Sequence, residues 1–152
     1  MRVRGSAIAA LVTASVALGM LTACVTEHIC VSWVDFETPQ EAYDDARLVV
    51  VGTAEPTGGS RNVLGVAMPV YAIEIADTLK GEAPDDLTVT PAPLTCMGDA
   101  SEFPDGIDPL ATDEELVLFL NRDDGVWRLL TPTDGVLPVP DDGMLPFEVD
   151  DR

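Results

Sequence analysis

Alternation of apolar and polar residues dominates the chain from residue 48 onward, and its two-residue period is that of β-strands. The longest such stretch is Val66–Leu79, whose apolar face carries Tyr71, Ile73 and Ile75. Leu116–Leu120 is instead apolar at every position, as expected of a strand buried on both faces. The same reasoning predicts shorter strands at Leu48–Val51, Leu87–Thr90 and Trp127–Thr131, and a weak C-terminal hairpin of Gly135–Val139 with Met144–Val149.

Cap and turn residues separate these strands. Thr38, Pro39 and Glu41 indicate the start of a short helix, because Thr caps, Pro suits the first helical position and Glu favours the first turn. Gly52 predicts a bulge or a bend in its strand, and Asp124-Gly125 predicts a tight hairpin turn. Two longer loops are predicted at Glu55–Gly65 and Met97–Asp113. Short strands with one short helix indicate a small all-β barrel or sandwich.

The N-terminal segment has the layout of a secretory signal. Arg2 and Arg4 precede an uncharged, mostly apolar run that ends in Leu21-Thr22-Ala23-Cys24. These four residues resemble the bacterial lipobox, which implies cleavage before Cys24 and a diacylglycerol on its sulfur. Residues 1–23 would then be a lipoprotein signal peptide. A retained transmembrane helix and an uncleaved signal are the alternatives.

A lipid on Cys24 would place the protein on the extracytoplasmic face of the bacterial cell membrane. Residues 24–29 would be its tether, and they contain no Gly/Ser linker. At roughly 3.5 Å per residue, this tether holds the folded domain within about 20 Å of the lipid headgroups.

The charge balance limits the classes of partner. The chain has a formal net charge of −19, and the predicted signal peptide removes two arginines and no acid. Such acidity argues against nucleic acid and against adsorption to an anionic membrane surface. It favours a protein or cationic partner in the envelope. A compositional origin of the acidity, such as GC-rich coding or salt adaptation, is the alternative.

Two cysteines remain once Cys24 is lipidated. Cys30 and Cys96 would lie in an oxidising compartment, where a pair of cysteines normally forms a disulfide. A reactive thiol is the alternative, with His28 the one histidine of the chain.

Candidate catalytic and metal sites are weak throughout. Glu27, His28 and Cys30 lack the further ligands that zinc requires, and the serines lack the context of a triad. Several Asp-Asp pairs lie beside Gly or Pro, where Asp serves turns. The densest acidic set is a weak candidate for a calcium site, with a plain solvated loop as the favoured alternative, and it comprises Asp99, Glu102, Asp105 and Asp108. No catalytic residue and no cofactor are predicted.

A family resemblance covers Cys30 to Pro132. Cys30, Glu41–Gly52, Tyr71–Gly81, Cys96 and Asp113–Leu120 follow one another in an order that resembles bacterial secreted and lipoprotein domains similar to the tissue inhibitors of metalloproteinases. The resemblance implies an OB-like five-stranded barrel over residues 30–132, with residues 133–152 as a C-terminal hairpin or tail. It does not imply zinc chelation, because Cys30 is internal rather than N-terminal.

Three functions follow as hypotheses. The first is a non-enzymatic, lipid-anchored envelope module that binds a protein or cationic partner through its acidic surface. The second is a protease inhibitor that acts through a barrel loop, either Glu55–Gly65 or Met97–Asp113. The third is a hydrolase that uses a pair of carboxylates.

Overall fold

The computed structural model describes residues 32–94 and 103–150. Leu21, Thr22, Ala23, Cys24, His28, Cys30, Cys96, Asp99 and Glu102 lie outside the described residues. The described part contains one helix, six strands and a short 3₁₀ turn at Pro104–Gly106. These elements are α1 (Pro39–Asp45), β1 (Leu48–Val63), β2 (Val66–Lys80), β3 (Thr88–Thr90), β4 (Leu116–Asp123), β5 (Val126–Leu129) and β6 (Val136–Pro138).

Five of the strands form a ring in the order β1-β2-β3-β5-β4, and β4 pairs again with β1. The β3–β5 pair is parallel and joins only two residues of each strand, whereas the other pairs are antiparallel. The predicted fold class, a small all-β domain with one short helix, is confirmed, and five strands close into a ring as the predicted five-stranded architecture requires.

β1 and β2 continue past the ring as a two-stranded ribbon. The predicted loop Glu55–Gly65 is therefore wrong: β1 extends to Val63, and the chain reverses only at Leu64-Gly65. Residues 55–62 are exposed, and the register shifts between Pro56 and Ser60. Such a bulge allows a segment rich in Gly, Pro and Ser to remain paired. The predicted bulge at Gly52 is confirmed by the register shift between Val51 and Gly52.

The ring is filled by the inward faces of its strands. Leu48 and Val50 of β1 and Leu118 and Leu120 of β4 are fully buried in one cluster, and Leu110 of the loop that precedes β4 joins them. The predicted loop Met97–Asp113 thus carries a core residue in its described part, and Pro104–Gly106 is its one helical turn there. The inner cluster holds the barrel-like ring together by apolar burial.

A second cluster covers the outer face of β1 and β4. Val49 and Phe119 point away from the ring and pack with Ala42 and Tyr43 of α1. This second layer explains why Leu116–Leu120 is buried at every position. The predicted helix start is confirmed, because Thr38 caps α1 by accepting a hydrogen bond of 3.3 Å from the Glu41 amide.

The C-terminal segment completes this outer layer. β6 pairs with β4, so the structure differs from the predicted hairpin of Gly135–Val139 with Met144–Val149, and the latter segment contains no strand. β5 pairs with residues 120–123 of β4, which leaves residues 116–118 of β4 to pair with β6. Phe147 instead packs on the Tyr43 ring, with 5.1 Å between the ring centroids. Within residues 32–94 and 103–150, no helix has the length and apolar character needed to span a membrane.

Candidate functional site

The tips of two hairpins enclose a cavity of about 280 Å³, which we call the tip cavity. Both turns have positive φ at their two central positions, Leu64-Gly65 and Asp124-Gly125, as expected of type I′ turns. The predicted Asp-Gly turn is therefore confirmed. The lining residues come from both hairpins: Asn62, Val63, Leu64, Gly65, Asp123, Asp124, Val126 and Arg128.

Arg128 is held rigidly beside this cavity. Its Nη1 donates hydrogen bonds of 3.1 Å to the carbonyl oxygens of Leu129 and Leu130, and its guanidinium lies 5.1 Å from the centroid of the Trp33 ring. The side chain is only 14% exposed. Two protein contacts and an aromatic stack therefore fix the plane of the guanidinium before any ligand arrives.

One hydrogen-bond donor of the Arg128 guanidinium, Nε, lacks an acceptor among the described residues. Within the described part of the chain, Nε is buried and has no hydrogen-bond acceptor; the Asp123 carboxylate lies 4.0 Å away, beyond hydrogen-bond distance. Burial lowers the pKa of Arg128, and the charge of Asp123 partly offsets this effect. The hydroxyl of Thr90, which is in register with Arg128 across the parallel β3–β5 pair, is a second buried polar group without a partner among the described residues.

Basic side chains are concentrated on these two hairpins. The described residues include five, and four of them belong to the strands of the hairpins: Arg61, Lys80, Arg122 and Arg128. Arg122 stacks over Trp127 with 5.5 Å between the guanidinium carbon and the ring centroid. The hairpins are therefore less acidic than the rest of the molecule.

A second candidate site is a shallow groove beside α1, which we call the acidic groove. Its lining residues are Val34, Asp35, Phe36, Glu41, Asp44 and Asp45. Val34 is 62% exposed, so the groove combines carboxylates with apolar surface.

The acids of this groove are placed at a cost to the helix. Asp44 and Asp45 lie at the C-terminal end of α1, where negative charge opposes the helix dipole by about 0.3–1 kcal/mol for each group. Lys80 offsets part of this cost, because its Nζ donates hydrogen bonds of 2.7 and 2.8 Å to the carbonyl oxygens of Tyr43 and Asp44. The charged end of Lys80 is thus engaged with the backbone at this end of the helix.

Asp108 has a structural role in the described structure. Its Oδ2 accepts a 2.7 Å hydrogen bond from the hydroxyl of Tyr71, and its Oδ1 accepts one of 2.9 Å from the Leu110 amide. Burial, followed by the hydrogen bond to Asp108 and the charge of Asp108, raises the pKa of Tyr71 above its ordinary value. These bonds hold the loop that carries Leu110 against the ring.

Two of the four weak calcium candidates, Asp105 and Asp108, belong to the described residues. Asp105 is exposed in the 3₁₀ turn and Asp108 is engaged as described, while Asp99 and Glu102 lie outside the described residues. In residues 32–94 and 103–150, no group of three or more His, Cys, Asp or Glu side chains is arranged to hold a metal ion. The calcium hypothesis, like the lipidation of Cys24 and the Cys30–Cys96 disulfide, stays a prediction.

Sequence reasoning missed the role of Arg128. A single arginine in a short predicted strand does not by itself indicate a buried, fixed side chain. The contacts that fix Arg128 involve Trp33 and Leu130, which come from different parts of the fold. The acidity of residues 35–45 is visible in the sequence, but the exposure of Val34 beside it is not. A comparison with protein-family models and with curated proteins finds no match to this sequence.

Proposed function

We propose that this protein is a non-enzymatic, lipid-anchored binding module of the bacterial cell envelope, which captures a basic protein partner in the acidic groove. The observation that carries the proposal is the pair Asp44 and Asp45 at the unfavourable end of α1, next to exposed Val34. Residues that weaken their own helix and stay exposed are explained better by recognition than by stability.

The chemistry of the groove matches lysine and arginine side chains. Their aliphatic stems would pack on Val34 and Phe36 while their charged ends meet the carboxylates of Asp35, Glu41 and Asp44. The net charge of −19 would accelerate encounters with a basic partner, and it would make binding sensitive to salt.

The proposed anchor comes from the sequence Leu21-Thr22-Ala23-Cys24. Ser32 is the first described residue, so only a short segment separates Cys24 from the acidic groove. A groove held near the bilayer would meet partners in the envelope rather than partners free in solution.

Two double variants with the same charge change test the groove. The lipidated protein in detergent is used to capture proteins from an envelope extract, and the affinity of the captured partner is measured. Asp44→Asn/Asp45→Asn should weaken binding at least about tenfold. Asp85→Asn/Asp86→Asn, which changes exposed acids outside the groove, should change it less than about twofold. Equal effects of the two variants, or binding that persists unchanged at high salt, would contradict the proposal.

The anchor is tested separately. Native protein should have a mature N-terminus at Cys24 with acyl chains on that residue, as read by intact mass. Cys24→Ser should release the protein from the membrane fraction. Native material that begins at Met1, or an unmodified sulfur at position 24, would contradict the anchor while leaving the groove hypothesis intact.

A further inference from the structure

Leu64 is an apolar side chain at the turn where the β1–β2 ribbon ends. It occupies the first central position of that turn with a φ of 53°, a conformation that suits Asn or Gly and is strained for a bulky residue. The turn is held in place, because Oδ1 of Asn62 accepts a 3.0 Å hydrogen bond from the Gly65 amide. Leu64 is nevertheless 39% exposed. The ribbon therefore presents a leucine to its surroundings where a polar residue would be more stable.

Both tryptophans of the chain lie beside the hairpin tips, each against an arginine. Trp127 lies under the guanidinium of Arg122, close to the β4–β5 turn. Trp33 stacks on Arg128, which lines the tip cavity together with Leu64. Both rings are half-buried. Tryptophan and arginine side chains of this kind, apolar in part and polar at one end, suit the headgroup layer of a bilayer.

The hairpin tips are electrically balanced, unlike the rest of the molecule. Residues 55–71 and 121–128 carry three acids and three arginines, whereas the other described residues carry 20 acids and two bases. An anionic bilayer therefore repels the rest of the described domain more strongly than its tips. In a domain held at the membrane surface, this repulsion alone would turn the tips toward the bilayer.

The chain enters the domain near the same end. Trp33 follows Cys24 by nine residues, and nine residues span at most about 30 Å. Because Trp33 contacts Arg128 and Arg128 lines the tip cavity, the proposed lipid on Cys24 would hold the domain from a point beside its hairpin tips. Such an anchor would raise the local concentration of the tips at the bilayer surface.

We propose that the tip of the β1–β2 hairpin docks on the phospholipid bilayer, with the Leu64 side chain inserted among the lipids. Trp33, Trp127 and the two arginines that stack on them lie at the level of the headgroups. This inference rests on the lipid anchor of the proposed function but not on the acidic groove. One leucine binds a bilayer only weakly, so the contact orients an anchored domain rather than providing a second anchor. It fixes which face of the domain points toward the membrane.

A tryptophan at the tip tests the docking on lipidated mature protein in phosphatidylcholine vesicles, with and without bromine on the acyl chains. Leu64→Trp adds a reporter at the turn, and Met144→Trp adds one at an exposed position in the acidic C-terminal segment. The emission that each variant adds to that of the two native tryptophans is compared. Bromine should quench the Leu64→Trp contribution at least about twofold and the Met144→Trp contribution by less than about a tenth. Equal quenching of both, or none at position 64, would overturn the proposal.

Leu64→Asn tests the side chain itself in a variant that should fold, because Asn adopts positive φ readily. Hydrogen exchange of the turn amides should be at least about threefold slower in the vesicle-bound protein than in unlipidated Cys24→Ser protein in solution. Leu64→Asn should lose this slowing. No slowing in the unmodified protein, or an equal slowing in Leu64→Asn, would overturn the proposal. Should Leu64→Trp fail to fold, this measurement decides the question.

Intact mass of the reconstituted protein separates this inference from the proposed function. Protein without acyl chains on Cys24 would overturn both the anchor and the docking. Acylated protein in which the Leu64→Trp emission is not quenched would overturn the docking alone.

Discussion

The indole N–H of Trp33 donates a 2.9 Å hydrogen bond to the carbonyl oxygen of Pro93, 60 residues further along the chain. Trp33 follows Cys30 by three positions, and Pro93 precedes Cys96 by three. Three residues span at most about 10 Å. The hydrogen bond therefore joins the two segments at a point from which both cysteines have the reach to meet.

We expect the mature protein to contain a Cys30–Cys96 disulfide. Alkylation followed by mass spectrometry should find neither thiol free without a reductant and both free with one. The bond closes a loop of about 67 residues, for which the chain-entropy model predicts a stabilisation of about 4 kcal/mol. Cys30→Ser/Cys96→Ser should lower the free energy of unfolding by up to this amount. Two alkylated thiols in the unreduced native protein would refute the prediction.

Loss of the Tyr71 hydroxyl should destabilise the domain. Tyr71→Phe removes the 2.7 Å hydrogen bond to the Asp108 carboxylate, and we expect the free energy of unfolding at pH 7 to fall by about 1.5–3 kcal/mol. Denaturant titration measures this change. In an Asp108→Asn background the same substitution should cost only about 0.5–1.5 kcal/mol, because the acceptor is then neutral. An equal cost in both backgrounds would show that the charge of Asp108 contributes nothing.

The Tyr71 contribution should also depend on alkaline pH. Folding raises the pKa of Tyr71 through burial and through Asp108, so the folded state favours the neutral phenol. This contribution is fully present below the ordinary tyrosine pKa of about 10 and is lost as pH rises toward the raised folded pKa. The stability difference between the unmodified protein and Tyr71→Phe should therefore shrink from pH 7 to pH 11. A difference that stays constant would contradict the assigned direction.

Phe147 should be essential to the outer layer although it lies close to the C-terminal end. Its ring stacks on Tyr43 and meets Phe119 edge-on, with 5.5 Å between the Phe119 and Phe147 centroids. Phe147→Ala should lower the free energy of unfolding by about 3 kcal/mol. Val149→Ala, at a position that is 38% exposed, should change it by less than about 0.5 kcal/mol. Similar values for both variants would show that the tail is not packed as described.

Gly52 should not tolerate a side chain. A Cβ atom at this position would meet the backbone carbonyl oxygen of Glu74 on β2, and paired backbone has little room to move. Gly52→Ala should lower the free energy of unfolding by about 1–3 kcal/mol. Gly59→Ala in the exposed ribbon, where the nearest atom is the Thr57 hydroxyl oxygen at 3.4 Å, should change it by less than about 0.5 kcal/mol. Chemical denaturation of both variants gives the comparison.

The sequence by itself determined the features that depend on neighbouring residues. Alternation assigned Tyr71 and Ile73 to the buried face of β2, because successive side chains of a strand point to opposite faces of the sheet. The local backbone preferences of Thr38 and Pro39 set the start of α1. Those of Asp124 and Gly125 set the turn between β4 and β5. The all-β class followed from these local features alone.

Tertiary structure decided what depends on distant partners. β1 could extend through Pro56 and the following glycines only because β2 was there to pair with it, and β6 paired with β4 rather than with its own sequence neighbours. Arg128 acquired a fixed plane and an unmatched edge from Trp33 and two backbone carbonyls. Local preferences act over a few residues, whereas each of these arrangements arises only when segments remote in the chain are brought together by burial of the core.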